Sequence, residues 1–208
     1  MIENYEILPN GVIHQINSKP FNYGTEYSDN YNKSPYKEMS DMLSCLRFGY
    51  VVGSIGKIPY SILDVGYGSG SFLKICSEQV TKCYGYDISE FPVPSNCIKV
   101  NSLISEHYDV ITFFDSLEHF NDISFVKNLI CNYVVISVPW CHNFSDDWFD
   151  NWKHRKPDEH LWHFNLDSLI NFMMEQGFKF ICHSSIEDNI RKNYSSYENI
   201  LTATFKKL

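Results

Sequence analysis

The sequence predicts an α/β fold whose doubly wound, mostly parallel sheet has an antiparallel pair of strands at one edge. From residue 61 onward, short apolar segments typical of buried strands alternate with segments typical of helices. A glycine-rich turn follows the first of these strands, as expected where a strand turns directly into a helix. The last two apolar segments are joined without a clear helix, which favours an antiparallel pair.

Length and composition predict one domain with a small N-terminal arm. The chain has 208 residues, of which 44% are hydrophobic and 20% are charged, so a full core can form. We expect residues 1–56 to form the arm and a lid helix. We expect residues 57–208 to form the main domain, with an insertion at 139–164.

Net charge and cysteine usage argue against several kinds of protein. A formal net charge of −8 disfavours a protein held mainly to nucleic acid or to an anionic membrane. No apolar run approaches the roughly 20 residues of a membrane span, and residues 1–21 lack the pattern of a signal peptide. The seven cysteines are odd in number and form no CxxC pair, which favours a reduced, cytoplasmic location. Nothing in the sequence indicates an oligomeric state.

Two elements are predicted before the sheet begins. Asn10-Gly11 lies between two apolar segments and predicts a small hairpin. Ser34-Pro35 is typical of a helix cap followed by the first helical residue, and Gly53 and Gly56 are predicted to end that helix. The apolar residues at helical spacing are Met39, Met42, Leu43, Leu46 and Tyr50.

Seven strands and three helices are predicted after residue 60. Pro92 and Pro94 argue against a full helix before the third strand. Asn165 and Gly177 bound the last helix, whose predicted inward residues are Leu166, Leu169, Ile170, Met173 and Met174. The other helices are predicted over 72–78 and 123–130, and the strands over 61–65, 82–86, 97–100, 108–114, 133–138, 178–182 and 200–205.

The most informative segment is the turn after the first sheet strand, which has the sequence DVGYGSG at 64–70. Glycine permits positive φ and close approach of a ligand to the backbone, and the N–H groups of a helix start favour a negatively charged group. Asp87 ends the next strand, where a carboxylate can accept both hydroxyls of a ribose. Taken alone, the glycines could form only a tight turn, and Asp87 could be an ordinary strand-end acid.

Three classes of ligand compete for such a turn. A dinucleotide-binding turn needs a glycine where this chain has Ser71, and the GK[ST] ending of a P-loop is absent. The remaining class has an acid two residues before the first glycine, here Asp64. That acid suits a ligand with an ammonium and a sulfonium group, which is S-adenosylmethionine.

With these residues the chain resembles the class I S-adenosylmethionine-dependent methyltransferases over about residues 60–208, and more loosely over 23–59. The matching segments are ILDVGYGSG at 62–70, YGYDIS at 84–89, VNS at 100–102, YDVITFFDSLEHF at 108–120, YVVISVPW at 133–140 and HLWHFNLDSLINFMMEQGF at 160–178. The resemblance implies a seven-stranded, Rossmann-like methyltransferase fold. It is nearest to small-molecule enzymes with an L-E-H motif after the fourth strand, which include quinone- and sugar-modifying enzymes. The short, proline-containing connection after Asp87 departs from the family, which usually has a helix there.

The resemblance also implies roles for single residues in binding S-adenosylmethionine and its product S-adenosylhomocysteine. The methionine end would lie over the turn, where Asp64 orients the loop and helps the ammonium group, and a helix or arm from Tyr23 to Arg47 would close over the cofactor. Asp87 would hold the ribose. The residues expected to contact the cofactor are Asp64, Gly66, Tyr67, Gly68, Gly70, Asp87, Ile88 on the adenine face, Asn101 and Ser102 at the adenine edge, and Phe114 and Asp115 near the methyl group.

His119 is the candidate catalytic base, because histidine titrates near neutral pH and this one occupies the L-E-H position. Its alternative roles are a structural one, or contact with the cofactor without proton transfer. Glu118 could pair with His119, bind a substrate group or join a metal site.

The segment 139–164 is expected to contact the substrate, because it leaves the carboxyl end of a strand and is rich in aromatic and basic side chains. The alternative for its basic run is a solvated loop. Together with Glu118, the candidate substrate residues are Trp140, His142, His154, Arg155, His160 and Trp162. Although Cys141 and His163 add metal-binding donors, the spacing matches no zinc pattern, so no metal is predicted.

The sequence thus predicts a methyltransferase acting on a small molecule such as a sugar, a quinone or another metabolite. One alternative is a catalytically silent module of the same fold that binds a partner. Another is a protein or nucleic-acid methyltransferase. The acidic charge disfavours a nucleic-acid substrate, and the chain lacks an Asn/Asp-Pro-Pro-Tyr/Phe motif for transfer to the amino group of a base.

Overall fold

The computed structural model describes residues 3–21, 35–89, 91–193 and 195–208. Its strands are β1 (Tyr5–Ile7), β2 (Ile13–Gln15), β3 (Ser61–Val65), β4 (Lys82–Tyr86), β5 (Cys97–Lys99), β6 (Tyr108–Phe114), β7 (Cys131–Pro139), β8 (Trp162–His163), β9 (Phe178–Ser184) and β10 (Ile200–Lys207). Its α-helices are α1 (Pro35–Ile55), α2 (Ser71–Cys76), α3 (Asp146–Asn151), α4 (Leu166–Glu175) and α5 (Asp188–Arg191). The predicted cap at Ser34 and the start of the predicted arm at Tyr23 lie outside the described residues.

The main sheet has seven strands in the order β5-β4-β3-β6-β7-β10-β9. The strands β3 to β7 pair in parallel, whereas β10 is antiparallel to both β7 and β9. The chain winds from β3 towards one edge and then from β6 towards the other, so a crevice is expected at the carboxyl ends of β3 and β6. The doubly wound fold and its antiparallel edge pair are confirmed.

Both faces of this sheet are covered, as near-continuous apolar strands require. On one face, Val51 of α1 and Leu73 of α2 belong to the same buried cluster as Ile62. The next residue of β3, Leu63, belongs to the cluster that Phe172 of α4 completes on the other face. Within the described ranges, no helix is long and apolar enough to cross a membrane.

The predicted hairpin is present and contributes to a second, three-stranded sheet. β1 and β2 pair around the Asn10-Gly11 turn, and β2 also pairs with β8. The Gln15 N–H donates to the Leu161 carbonyl at 2.8 Å, and its side chain donates to Asp158 at 2.9 Å. The end of the segment 139–164 is therefore attached to the hairpin, which positions residues 158–161 beside the main sheet.

The helix predicted over 123–130 is wrong, because the structure has a short 3-10 turn at Ser124–Asn128 instead. The Asp122 carboxylate accepts the N–H and the hydroxyl of Ser124 at 2.8 Å each, which starts a local turn. Leu129 is already extended, because β7 begins two residues later. Apolar residues at helical spacing can thus mark a short turn packed on the core.

Helix α4 is capped as predicted, but one of its predicted inward residues is exposed. The Asn165 side chain accepts the Ser168 N–H at 2.8 Å, and the Ser168 hydroxyl accepts the Asn165 N–H at 3.0 Å. Phe172 and Met173 face inward. Met174 is 59% exposed, because it lies about 100° around the helix from Met173.

Candidate active site

The glycine turn links β3 to α2 with the backbone conformation that its sequence predicts. Gly66, Gly68 and Gly70 have φ angles of 78°, 51° and 77°, a region that disfavours other residues. A Cβ atom on Gly66 would lie 2.6 Å from the Cβ atom of Ser116, which follows β6. Glycine at position 66 therefore lets the loops after β3 and β6 approach each other closely.

Asp87 follows β4 and holds the glycine turn directly. Its Oδ2 atom accepts the Gly68 N–H at 2.8 Å, and its Oδ1 atom accepts the Ser89 N–H at 2.7 Å. A carboxylate has about four lone-pair positions, so two remain for donors from a ligand. Asp87 is thus fixed beside the turn with capacity for two more hydrogen bonds.

Asp64 is a buried carboxyl directly before the turn. Its Oδ1 atom accepts the Thr112 hydroxyl from β6 at 2.7 Å. Burial raises its pKa to about 7, and the Thr112 hydrogen bond and the charge of Arg47 only partly oppose this shift. A cationic group beside Asp64 would therefore stabilise its ionised form.

A cavity of about 590 Å³ lies over the carboxyl ends of β3, β4 and β6. It is bounded by the glycine turn, by the residues after β4 and β6, by α1 and by residues 154–161. Twelve of the predicted site residues line it, namely Asp64, Gly66, Tyr67, Gly68, Asp87, Ile88, Phe114, Asp115, Glu118, His119, His154 and His160. Predicted site residues from four chain segments thus meet at the crevice that the strand order predicts.

A buried ion network borders the Phe114–Asp115 end of the cavity. Arg47 of α1 donates to Asp115 at 2.6 Å and to both oxygens of Glu187 at 2.9 Å. Arg191 of α5 also pairs with Asp115 and with Glu187, and Ser137 of β7 donates to Glu187 at 2.7 Å. The four charged residues join α1, the end of β6 and α5 around one wall of the site.

Opposite charges keep the buried Glu187 and the half-buried Asp115 ionised. Burial acts to raise the pKa of Glu187, but the charges of Arg47 and Arg191 hold it below its usual value. The same two guanidinium groups outweigh burial at Asp115 and lower its pKa. The local sequence did not predict the roles of Glu187 and Arg191. Glu187 and Arg191 are four residues apart, a spacing that is typical of an ion pair on a helix. Such pairs are also common on exposed helices, so the spacing does not indicate a buried network.

A second polar cluster lies where the 3-10 turn Leu117–His119 meets the segment before β8. Glu118 is 1% exposed, and neither carboxylate oxygen has a hydrogen-bond partner among the described residues. Burial raises its pKa well above the usual value, and burial lowers the pKa of His119 and of His160. At neutral pH both imidazoles are therefore uncharged. The Leu161 N–H donates to the Glu118 carbonyl at 2.8 Å, which holds the two segments together.

Comparison with known proteins shows the family of the chain. The profile of a family described as a methyltransferase domain matches residues 52–183, which is more than half of the chain. The chain belongs to this family. It is a class I S-adenosylmethionine-dependent methyltransferase, and S-adenosylmethionine is its cofactor. No curated protein sequence matches the chain.

Solved structures of two methyltransferases and of one cyclase share the fold at low sequence identity. Magnesium protoporphyrin IX methyltransferase from Synechocystis PCC 6803 is 13% identical with a TM-score of 0.62, covering 89% of this chain and 96% of that one. The 1,6-didemethyltoxoflavin-N1-methyltransferase from Burkholderia thailandensis is 15% identical with a TM-score of 0.60, covering 98% and 99%. The [4+2]-cyclase SpnF is 11% identical with a TM-score of 0.58, covering 85% and 83%. These likenesses concern the fold alone.

Seven of the residues predicted for the methyltransferase site lie outside the cavity lining, namely Gly70, Asn101, Ser102, Trp140, His142, Arg155 and Trp162. Trp162 donates to the Phe120 carbonyl at 2.6 Å and stacks on His14 of the hairpin. The Arg155 guanidinium lies over the ring of Tyr5. These side chains hold the hairpin sheet in place, a use that the aromatic composition alone could not distinguish from substrate binding.

Three of the other residues outside the cavity lining are Trp140, His142 and Asn101. Trp140 and His142 stack on each other, and His142 contacts the Glu198 carbonyl at 2.8 Å. Asn101 is exposed after β5. Near Asp87, the residues that line the cavity are instead Ile88, Ser89 and Phe91, from the short connection that the sequence marked as unusual.

Proposed function

We propose that this methyltransferase transfers the methyl group of S-adenosylmethionine to a small-molecule acceptor such as a sugar, a quinone or another metabolite. The observation that carries this proposal is the size of the cavity. Its volume of about 590 Å³ is within the usual range for one cofactor and a small ligand. Leu43 and Ser44 of α1 and the residues 158–161 border it.

The cofactor is proposed to lie from Asp87 to Asp115. Asp87 would accept the ribose hydroxyls with its remaining lone pairs, and Ile88, which is 71% exposed, would be covered by the adenine. The methionine end would lie over Gly66 and Gly68, with its ammonium group near Asp64. Phe114 is held between Phe72 and the Arg47 guanidinium, so it offers a fixed apolar surface beside the reacting methyl group.

The proposed reaction is an in-line displacement in which the acceptor atom bonds to the methyl carbon as the carbon–sulfur bond breaks. S-adenosylhomocysteine leaves with the electron pair of that bond. The protein contributes positioning and the exclusion of water. For a protonated acceptor, His119 is the proposed base, because its Nδ1–H donates to the Glu159 carbonyl at 2.8 Å and its Nε2 atom is thereby the basic nitrogen.

The acceptor class can be tested with methyl-labelled S-adenosylmethionine. The purified protein is incubated with cell extract that has been separated into low-mass, protein and nucleic-acid fractions. Label that accumulates in the low-mass fraction, and that the Asp87→Ala variant fails to transfer, supports the proposal. Label confined to protein or nucleic acid contradicts it. Saturable cofactor binding with no label in any fraction would instead favour the silent binding module.

The pKa of Asp64 predicts a pH dependence of ligand binding. Burial raises the pKa of Asp64 in the folded protein to about 7, so folding favours the protonated carboxyl. The contribution of this group to the free energy of unfolding is full below the pKa of Asp64 in the unfolded chain and is lost as the pH rises through 7. The ammonium group of S-adenosylhomocysteine would stabilise the ionised form. We therefore expect ligand affinity to increase from about pH 6 to about pH 7.5, with proton release on binding.

Calorimetry in buffers of different ionisation enthalpy measures that proton release. The amino group of the ligand titrates in a neighbouring range, so Asp64→Asn is the matched reference. Its amide oxygen can still accept the Thr112 hydroxyl, but it has no charge to titrate. Equal proton release by the wild type and the variant would show that Asp64 does not face the ammonium group.

A further inference from the structure

We propose that Glu118, His119 and His160 form a binding site for one divalent transition-metal ion, with an open position for an oxygen atom of the acceptor. The placement of the acceptor rests on the proposed function. The metal site rests on the three side chains themselves. All three line the cavity, so an ion bound there would face the space beside Asp115.

The three side chains converge on one point. Their ligating atoms all lie within 4.8 Å of one another, and Glu118 Oε1 is 3.9 Å from His119 Nε2. The two imidazole rings are nearly perpendicular, with centroids 4.7 Å apart. An ion about 2.0–2.2 Å from each ligating atom needs these atoms to be about 3.4 Å apart. Side-chain movements of about 1 Å would therefore complete the site.

Backbone carbonyls set the orientation of both histidines. The Nδ1 atom of His119 lies 2.8 Å from the Glu159 carbonyl, and the Nδ1 atom of His160 lies 2.9 Å from the His154 carbonyl. A carbonyl can only accept, so each Nδ1 carries the proton and each Nε2 carries the lone pair. Metal-binding histidines are usually held in this way by a second hydrogen bond.

Glu118 supplies an independent observation. Its side chain is 1% exposed, and both of its oxygens lack a hydrogen-bond partner among the described residues. A buried carboxylate without partners is costly, and such groups in proteins are usually explained by an ion, a water molecule or a functional role. The Nε2 atom of His119, 3.9 Å from Oε1, carries a lone pair and cannot donate to it. A bound cation would satisfy the buried Glu118 carboxylate.

The donor set indicates the class of ion. Two imidazole nitrogens and one carboxylate suit Zn²⁺, Mn²⁺, Fe²⁺ or Co²⁺, whereas Mg²⁺ and Ca²⁺ prefer oxygen ligands. Three protein ligands leave at least one coordination position, as in catalytic metal sites. An acceptor hydroxyl bound there would lose its proton to solvent more easily and would attack the methyl carbon as the alkoxide or phenolate. In the metal-loaded protein, the metal replaces His119 as the group that activates the acceptor.

Titration with Co²⁺ tests this site without any methyl transfer. The protein is first treated with a chelator, and Co²⁺ binding is followed by its visible absorption. We expect one ion per chain, displaced by Zn²⁺, and an affinity at least about 10-fold lower in Glu118→Gln and in His160→Ala. The control is His107→Ala, which removes an exposed histidine that contacts Asn132 outside the cavity.

Absence of a visible Co²⁺ spectrum in the wild type, or equal affinity in the wild type and the folded double variant Glu118→Gln/His160→Ala, would overturn the metal site. Thermal unfolding establishes that each variant is folded. Glu118→Gln is expected to fold in any case, because it keeps the shape of the side chain. S-adenosylhomocysteine binding by the chelated protein is measured separately, so failure of the proposed function and failure of the metal site give different results.

Discussion

Replacing Glu187 with alanine is expected to lower the free energy of unfolding by about 3–5 kcal/mol. Glu187 is fully buried and accepts hydrogen bonds from Arg47, Arg191 and Ser137. Its removal would leave two buried guanidinium groups with Asp115 as the one carboxylate of the network. The measurement is urea unfolding at neutral pH, followed by circular dichroism.

Glu175→Ala is the matched control for the loss of a glutamate. Glu175 also accepts a hydrogen bond, from Asn10 at 2.7 Å, but this contact is exposed, so we expect a change of less than about 1 kcal/mol. The double variant Glu187→Ala/Arg191→Ala should be more stable than the sum of the single changes predicts, because it also removes one of the two positive charges that would share Asp115. A Glu187→Ala variant as stable as Glu175→Ala would contradict the network.

Replacing Asp87 with alanine is expected to weaken the binding of S-adenosylhomocysteine by at least about 100-fold. Two hydrogen bonds from ribose hydroxyls to a carboxylate contribute about 1.5 kcal/mol or more each, and 1.4 kcal/mol corresponds to tenfold in affinity. The substitution also removes the acceptor that holds the Gly68 N–H at 2.8 Å, so the turn itself would be less ordered. Calorimetric titration measures the affinity directly.

Asp109→Ala separates these two effects. Asp109 accepts the N–H groups of Tyr60 and Ser61 at 2.7 Å and 3.3 Å, so it resembles Asp87 in holding two backbone donors. It lies outside the cavity lining. We expect it to lose stability while its affinity for the ligand stays within about twofold of the wild type. If both variants bind as tightly as the wild type, Asp87 does not hold the ribose.

Local sequence patterns predicted the sheet and the glycine turn well for a physical reason. Strands buried on both faces are nearly continuous apolar runs, as Tyr108–Phe114 shows, and their bounds can be found without knowing their partners. The turn at Gly66 requires a backbone conformation and a clearance that glycine alone supplies easily. Both signals are contained in a few consecutive residues.

Contacts between distant residues could not be predicted in this way. Arg47 and Glu187 are 140 positions apart, and no local pattern indicates that they meet beside the cavity. The aromatic residues of 139–164 were predicted to contact the substrate, but Phe149 and Trp152 are buried in a small hydrophobic core. The sequence could not distinguish these two uses, because a small core and the wall of a binding site are both rich in aromatic residues. Only the position of the hairpin distinguishes these uses.

The position of S-adenosylhomocysteine in a crystal structure of the complex tests the central claim most directly. We predict the ribose hydroxyls within hydrogen-bond distance of the Asp87 carboxylate, and the homocysteine portion over the glycine turn beside Phe114. A nucleoside bound with its ribose away from Asp87, or outside this crevice altogether, would contradict the claim.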